Sequence, residues 1–371
     1  MRRAITRTSR PGIKMGRIAL VILATLAVAA AWLAHALYAP YQGFPPSGVY
    51  VDIPRGASGR TIARLLAGGG VVRSRLAFEA LCRWRAGRVL QAGEYFFNRP
   101  ANAFDVYQTI AEGRVFQLEL TVPEGFTMFD IADLLAREGL VSREAFLEAA
   151  RDPAPIRDLA PQPPSLEGFL FPATYQFPRH PTPQDIVGVM VRRFRETWQA
   201  LPGANAEHNG LSADVVVALA SLVERETSVP EERPLVAAVF ANRLRLGLRL
   251  QCDPTVIYAL QLENRYSGSL GSKDLQFESL YNTYRHRGLP PGPIANPGEA
   301  ALRAALSPAP VDYLYFVADG RGGHVFSKTL AEHNQNVARY RRLIAQGTRE
   351  QEAENRLSGT SGKRSTAKRS P

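Results

Sequence analysis

Glu226 closes a segment that is otherwise almost wholly apolar, Val215-Val216-Val217-Ala218-Leu219-Ala220-Ser221-Leu222-Val223-Glu224-Arg225-Glu226-Thr227. At about 100° per residue in a helix, Val215, Leu219, Leu222 and Glu226 share one narrow arc. Glu224 falls on the opposite side, and Arg225 lies outside the stripe. The periodicity therefore predicts one outward acid and one acid that continues a buried stripe. Poor hydration disfavours the charged carboxylate and raises its pKa, so Glu226 can hold a proton at neutral pH and deliver it. The same pattern fits a structural carboxylate neutralised by Arg225, Arg233, Arg243 or Arg245.

Three further segments carry polar groups that packing alone does not require. Leu250-Gln251-Cys252-Asp253-Pro254-Thr255-Val256-Ile257-Tyr258 sets an amide, a carboxylate and a phenol around a Pro-initiated turn. Tyr281-Asn282-Thr283-Tyr284 leads through a short basic stretch to a loop stiffened by Pro290, Pro291, Pro293 and Pro297. Asp319-Gly320-Arg321-Gly322-Gly323-His324 is a Gly-rich turn that follows a predicted strand. Amides, phenols and carboxylates on rigid loops suit a sugar, whose hydroxyls need directional partners and whose ring faces stack on aromatics. Each segment taken singly fits an ordinary turn as well, and the Gly-rich turn lacks the P-loop lysine pattern.

The elements that must hold these residues point to an α+β chain. Val49–Ile53 alternates as a strand, Ser58–Ala67 and Ala77–Arg88 read as helices, Ala92–Phe97 as a strand and Ala103–Glu112 as a helix. A second pass of the same kind runs from a strand at Val115–Val122 into helices at Met128–Glu138 and Arg143–Arg151. Pro54-Arg55-Gly56 and Pro123-Glu124-Gly125 each lead from a strand into a helix, which suggests a weak internal duplication. After a Pro-rich boundary at Pro153–Pro164, helices are expected at Pro183–Leu201, Ser212–Thr227, Glu231–Leu246 and Pro297–Ala305. A strand is expected at Tyr313–Ala318. The division is thus a basic N-terminus (1–17), an apolar helix (18–38), a stem (39–47), a small module (48–114), a connecting subdomain (115–164), a mixed α/β catalytic domain (165–347) and a disordered basic tail (348–371).

The formal net charge is +11, but the excess sits at the two ends. Arg2, Arg3, Arg7, Arg10, Lys14 and Arg17 precede the uncharged run Ile18–Leu37, which is long enough to cross a bilayer as a helix. The positive-inside rule then leaves the N-terminus in the cytoplasm and sends the rest across the inner membrane as a single-pass, uncleaved anchor. No recognition helix or stacking motif accompanies the basic ends, so nucleic acid is not an expected partner. Cys82 and Cys252 do not make a disulfide framework and are read as thiols. The scattered His residues give no metal-ligand spacing, and no cofactor is expected.

Taken together the segments resemble the MltG family, also called YceG-like, of membrane-anchored endolytic murein transglycosylases. The resemblance rests on Glu167-Gly168-Phe169-Leu170-Phe171-Pro172-Ala173-Thr174-Tyr175, on Ala220 to Thr227, on Val239-Phe240-Ala241-Asn242-Arg243-Leu244, on Leu250 to Tyr258, on Tyr281 to Tyr284, and on the Leu289–Gly298 and Tyr315–Phe326 loops. It covers 49–345. It implies a LysM-like module near the membrane and a catalytic domain that cuts the MurNAc–GlcNAc bond of nascent peptidoglycan glycan strands, leaving 1,6-anhydro ends and terminating strand elongation. By the same resemblance Glu226, followed by Thr227 as in a Glu-Ser pair, is the catalytic acid. Gln251, Asp253, Tyr258, Tyr281, Asn282 and Tyr284 would line the glycan cleft, and peptidoglycan synthases (penicillin-binding proteins) are implied partners. Phe277-Glu278-Ser279-Leu280 lacks the Pro that the family often carries before Tyr281. A non-catalytic peptidoglycan-binding scaffold and a water-using muramidase with Asp253 as second carboxylate remain the alternatives.

Overall fold

A computed structural model describes residues 12–85, 87–203 and 212–346. The tail expected to be disordered lies outside the described residues. The chain has a mixed α/β architecture and divides into two compact units, 1–118 and 119–371.

The first unit opens with helix α1 (Gly12–Tyr38), of which Gly16–Tyr38 is apolar, exposed over most of its length and long enough to cross a membrane. It continues as β1 (Val49–Ile53), α2 (Gly59–Gly68), α3 (Arg75–Trp84), β2 (Gly93–Phe97) and α4 (Ala103–Ala111). β1 and β2 pair antiparallel, Val51 opposite Tyr95. Their inner face and the apolar stripes of the helices enclose Ile53, Ile62, Leu66, Phe78, Leu81, Tyr95 and Ile110. α3 stops at Trp84, earlier than periodicity suggests. The stem after α1 is not a loose spacer: Tyr41 bridges to Ala101, and the Gly43 N–H donates to the Gly70 carbonyl at 2.8 Å.

The same order recurs from the boundary onward into the second unit, with β3 (Leu118–Thr121), whose first residue closes the first unit, then α5 (Met128–Arg137) and α6 (Arg143–Ala150), and β3 pairs with β4 (Thr174–Phe177). Strand–helix–helix–strand thus occurs twice, and the suggested duplication is more extensive than its two turns. Residues 53–72 and 122–141 align without a gap: Pro54, Gly56, the Ile62-Ala63 pair, Leu65-Leu66-Ala67, Gly70 and Val72 recur at the matching places. Gly56 and Gly125 have φ of 74° and 75°, and Gly70 and Gly139 have 68° and 69°. Both pairs need the left-handed region that glycine enters without a Cβ penalty. Ser58 caps α2 and Thr127 caps α5, each accepting from the N–H three residues on.

The rest of this unit is helical: α7 (Pro183–Ala200), α8 (Ala213–Glu226), α9 (Arg233–Arg245), α10 (Asp253–Leu262), α11 (Glu299–Leu306), the antiparallel hairpin β5 (Tyr315–Ala318) and β6 (His324–Ser327), and a last helix, α12, over 330–346. The Pro254 turn expected at 250–258 is instead the start of α10, with proline in the first turn where its missing N–H costs nothing. β4, β6 and α12 also escaped the sequence reading, being too short or too polar to show a period.

α8 packs against α9, α10 and α11 and is buried on nearly every side from Val216 to Val223. Glu224 is accordingly not the outward, solvated acid that the helical wheel predicts. Its side chain is 6% exposed, lies 3.4 Å from the Arg233 guanidinium and accepts from the Gly298 N–H at 3.1 Å, at the start of α11. Helices on its far side turn a nominal solvent face into an interior one.

Candidate active site

The last residue of α8, Glu226, lies at an open groove of about 310 Å³, shared with Arg243 of α9, Gln251, Asp253, Tyr284, Phe316 of β5 and His333 of α12. Val239, Phe240 and Leu250 supply an apolar wall. Burial is the largest influence on Glu226 and raises its pKa; the nearby Asp253 charge adds to this, while a hydrogen bond from the Cys252 thiol, His324 and Arg225 hold the rise back. None of the four arginines considered as structural partners pairs with it among the described residues. Arg225 donates to the Gly125 carbonyl at 3.1 Å, Arg233 serves Glu224, Arg245 reaches only Asn242, and Arg243 is committed to backbone.

Arg243 is the organiser of the groove. Only 9% exposed, it donates to the carbonyls of Leu314 (2.6 Å), Arg249 (3.0 Å) and Leu250 (2.9 Å), while its guanidinium lies 5.0 Å over the Tyr315 ring. It thereby fixes the 249–251 segment against β5. Gln251, at φ 55°, is held in the left-handed region, and its side-chain oxygen lies 3.4 Å from the same guanidinium. Asn242 supports the same edge by donating to the Val311 and Tyr313 carbonyls. An Asn-Arg pair set into the apolar run of α9 was the signal for this role.

The Tyr284 hydroxyl donates to the Asp253 carboxylate at 2.5 Å, so the two cleft residues form one hydrogen-bonded rim. Thr283 fastens their loops together, accepting from the Cys252 N–H at 3.0 Å and meeting the Thr255 hydroxyl at 2.9 Å. Glu226, Gln251, Asp253 and Tyr284 are thus brought together as expected. Tyr258, Tyr281 and Asn282 are not at this groove. Asn282 is fully buried and shapes the loop, donating to the Leu275 and Phe277 carbonyls and accepting from the Tyr284 N–H.

Tyr258 and Tyr281, with ring centroids 5.1 Å apart, belong to a second, interior constellation around Glu167. This carboxylate is 1% exposed and accepts from the Met128 N–H (2.9 Å), the first of α5, from the Asn296 side-chain amide (2.8 Å) and from the Tyr258 phenol. Burial raises its pKa to about 8 in spite of these donors. Asn296 in turn accepts from Gly168 (2.8 Å) and Leu170 (3.0 Å), joining the 165–172 segment to the Pro-rich loop. Gly168 has φ 86°, and a Cβ there would meet Pro293 at 2.4 Å, so only glycine permits the approach. The loop also donates its Ile294 N–H to Ser221 of α8 at 3.0 Å.

Beyond Glu226 the helix end is tied to the Gly-rich turn. Thr227 donates to Glu232 at 3.0 Å, and Glu232 accepts from the His324 N–H and meets His324 Nδ1, both at 2.7 Å. Asp319 accepts the Arg321 and Gly323 N–H groups inside the turn. The Glu232–His324 link was not evident from spacing, because the two residues stand 92 positions apart in the chain. Cys82 and Cys252 are both thiols without a disulfide.

Residues 51–339 match the YceG-like family. The chain is 34% identical over 323 residues to an endolytic murein transglycosylase of Bacillus subtilis, covering 82% of this chain and 88% of the relative. It is 29% identical over 329 residues to one of Streptococcus pneumoniae, covering 79% of this chain but only 58% of that longer protein. The crystal structure of a YceG-like protein from Listeria monocytogenes superposes with a TM-score of 0.51 at 31% identity, over 78% of this chain and 99% of the other. A match that spans the groove, the Glu167 constellation and both strand–helix–helix–strand units establishes that this chain belongs to the YceG-like family.

Proposed function

We propose that this chain is an endolytic murein transglycosylase, anchored in the inner membrane with its N-terminus in the cytoplasm, that cleaves the MurNAc–GlcNAc bond of peptidoglycan strands with Glu226 as acid and then base. The observation that carries this reading is a poorly hydrated carboxyl that forms no ion pair among the described residues, set in a groove rimmed by Gln251, Asp253 and Tyr284. Protonated Glu226 gives its hydrogen to the glycosidic oxygen as the bond to muramic C1 breaks. The carboxylate then takes the proton of the muramic C6 hydroxyl as that oxygen bonds to C1, which closes the anhydro ring and restores the acid. A hydrolase would need a second carboxylate to act on water or on the sugar. Here the nucleophile is part of the substrate and starts at high effective concentration. Asp253, already accepting from Tyr284, and the Gln251 amide would orient sugar hydroxyls. The membrane-proximal strand–helix–helix–strand unit is read as LysM-like, holding the cleft near growing strands and their synthases.

The test is digestion of purified peptidoglycan by the full chain, with mass spectrometry of the ends. Anhydro ends are expected, Glu226→Gln should lower their yield by about 10²-fold or more, and Glu224→Gln should still make them. Reducing ends would favour the muramidase reading, in which Asp253 assists water; unchanged products from Glu226→Gln would overturn the assignment. Because the acid must be protonated, activity should fall as pH rises through the raised pKa of Glu226. The thiol bond favours the charged form, so Cys252→Ala should move that alkaline limb to higher pH, which a pH–rate profile reads.

A further inference from the structure

We infer that the face of the first unit carrying Trp84, Arg85, Arg88 and Val89 rests in the headgroup layer of the bilayer that α1 crosses, so that the unit lies against the membrane rather than hanging from it. This rests on reading α1 as the span. Trp84 is 71% exposed and Val89 85%, as is Leu76 of α3 at 70%, an unusual cost for a small module that otherwise encloses a core. Trp84 is also not isolated. The Tyr38 ring, at the last residue of α1, lies 4.8 Å from Phe104 of α4, and Phe104 lies 6.3 Å from Trp84 at the end of α3. The aromatic end of the span therefore continues without a break onto the module, at the level where tyrosine and tryptophan settle between hydrocarbon and water.

The cations are placed to match. The Arg85 guanidinium lies 5.2 Å over the Trp84 ring and 5.9 Å over Phe104, and Arg88 is exposed one residue before Val89. Arg60 and Arg83 are paired with Glu79, whereas no carboxylate pairs with Arg85 or Arg88 among the described residues. Apolar rings beside uncommitted arginines fit the boundary between acyl chains and anionic headgroups. The attachment is rigid enough to hold this face down. Leu37 packs on the module core, the Tyr41 bridge to Ala101 and the Gly43 bond to Gly70 follow within a few residues, and the Tyr107 hydroxyl holds the Arg85 carbonyl at 2.9 Å.

Tryptophan fluorescence of the full chain in nanodiscs of equimolar phosphatidylcholine and phosphatidylglycerol tests this. One variant, Trp32→Phe with Trp198→Phe, leaves Trp84 as reporter; another, Trp84→Phe with Trp198→Phe, leaves Trp32, about 9 Å deeper along α1 at 1.5 Å per residue. Lipids brominated near the glycerol should quench Trp84, lipids brominated farther down the chain should quench Trp32 more, and aqueous iodide should reach neither. Quenching of Trp32 by bromolipid while Trp84 responds only to iodide overturns the inference and leaves the span standing. Failure of bromolipid to quench Trp32 overturns the span and the inference with it. Shielding of Trp84 from iodide without bromolipid quenching assigns the face to another protein surface, again overturning it. Arg85→Glu with Arg88→Glu should return Trp84 to iodide, and an unchanged response would remove the role given to the anionic headgroups.

Discussion

The two strand–helix–helix–strand repeats share their turns, caps and glycines but differ in what their ends touch. In the first, the Pro54-Arg55-Gly56 turn is exposed, and the returning strand β2 follows soon after α3. In the second, Gly125 is buried, donating to the Asn296 carbonyl at 2.9 Å and accepting from Arg225 at 3.1 Å, directly behind Glu226. The return to β4 is also interrupted by the segment that carries Glu167 back to the first N–H of α5. One local fold thus serves in one place as a self-contained module and in the other as a seat for the helix bearing the candidate acid. Folding the repeat needs only its own stripes and caps. Seating α8 needs polar groups contributed from outside it.

Removing the centre of that seat should have the largest effect. Glu167→Ala strands the Met128 N–H, the Asn296 amide and the Tyr258 hydroxyl in the interior and should cost about 3 kcal/mol or more, read as a fall in denaturation midpoint. The first repeat has no acid at the matching place. Glu167→Gln sharpens the comparison through pH. A carboxyl raised from an ordinary value to about 8 favours the fold when protonated, so its contribution is complete at low pH and is lost as pH climbs through about 8. Wild-type stability should therefore decline from about pH 5 to pH 8 by more than that of Glu167→Gln; parallel curves would show that Glu167 does not carry the proton.

The matched glycines come next. Alanine at either turn must adopt φ near 75°, at a cost of about 1 kcal/mol. A Cβ at Gly56 meets nothing within 4 Å, whereas one at Gly125 comes 3.5 Å from Glu224 and 3.7 Å from Arg225. Both variants should lose similar stability in thermal melts, but only Gly125→Ala should slow glycan cleavage, by severalfold. Equal activities would mean that the turn does not set the position of α8.

Most helix positions, α10 and α12 excepted, were legible in the sequence because stripes, caps and proline–glycine punctuation are local. Glu226 and its rim residues Gln251, Asp253 and Tyr284 were legible too, as polar types in segments that packing did not need. Tyr258, Tyr281 and Asn282 looked the same in sequence, and only burial separates residues that line a groove from residues that build the loops beneath it. The helical wheel failed for Glu224 because a wheel knows one helix, whereas α9 and α11 cover the side it leaves open. Arg243 was visible as a cation and not as an organiser, since it ties the nearby Arg249 and Leu250 carbonyls to that of Leu314, 71 residues on, which only the fold brings close.

The smallest effect separates the repeats at their caps. Ser58 accepts one N–H at the start of α2, whereas Thr127 takes part in a reciprocal box with Asp130 and stands next to the Met128–Glu167 bond. Ser58→Ala should cost about 1 kcal/mol. Thr127→Ala should cost somewhat more, because Asp130 loses a donor and the Glu167 bond loses the residue that fixes the helix start. Hydrogen exchange gives the finer readout: Ser58→Ala should loosen α2 alone, while Thr127→Ala should raise exchange in α5 and also at the amides of Gly168 and Leu170, which reach α5 through Asn296 and Glu167. Exchange confined to α5 would mean that the second repeat, like the first, stands by itself.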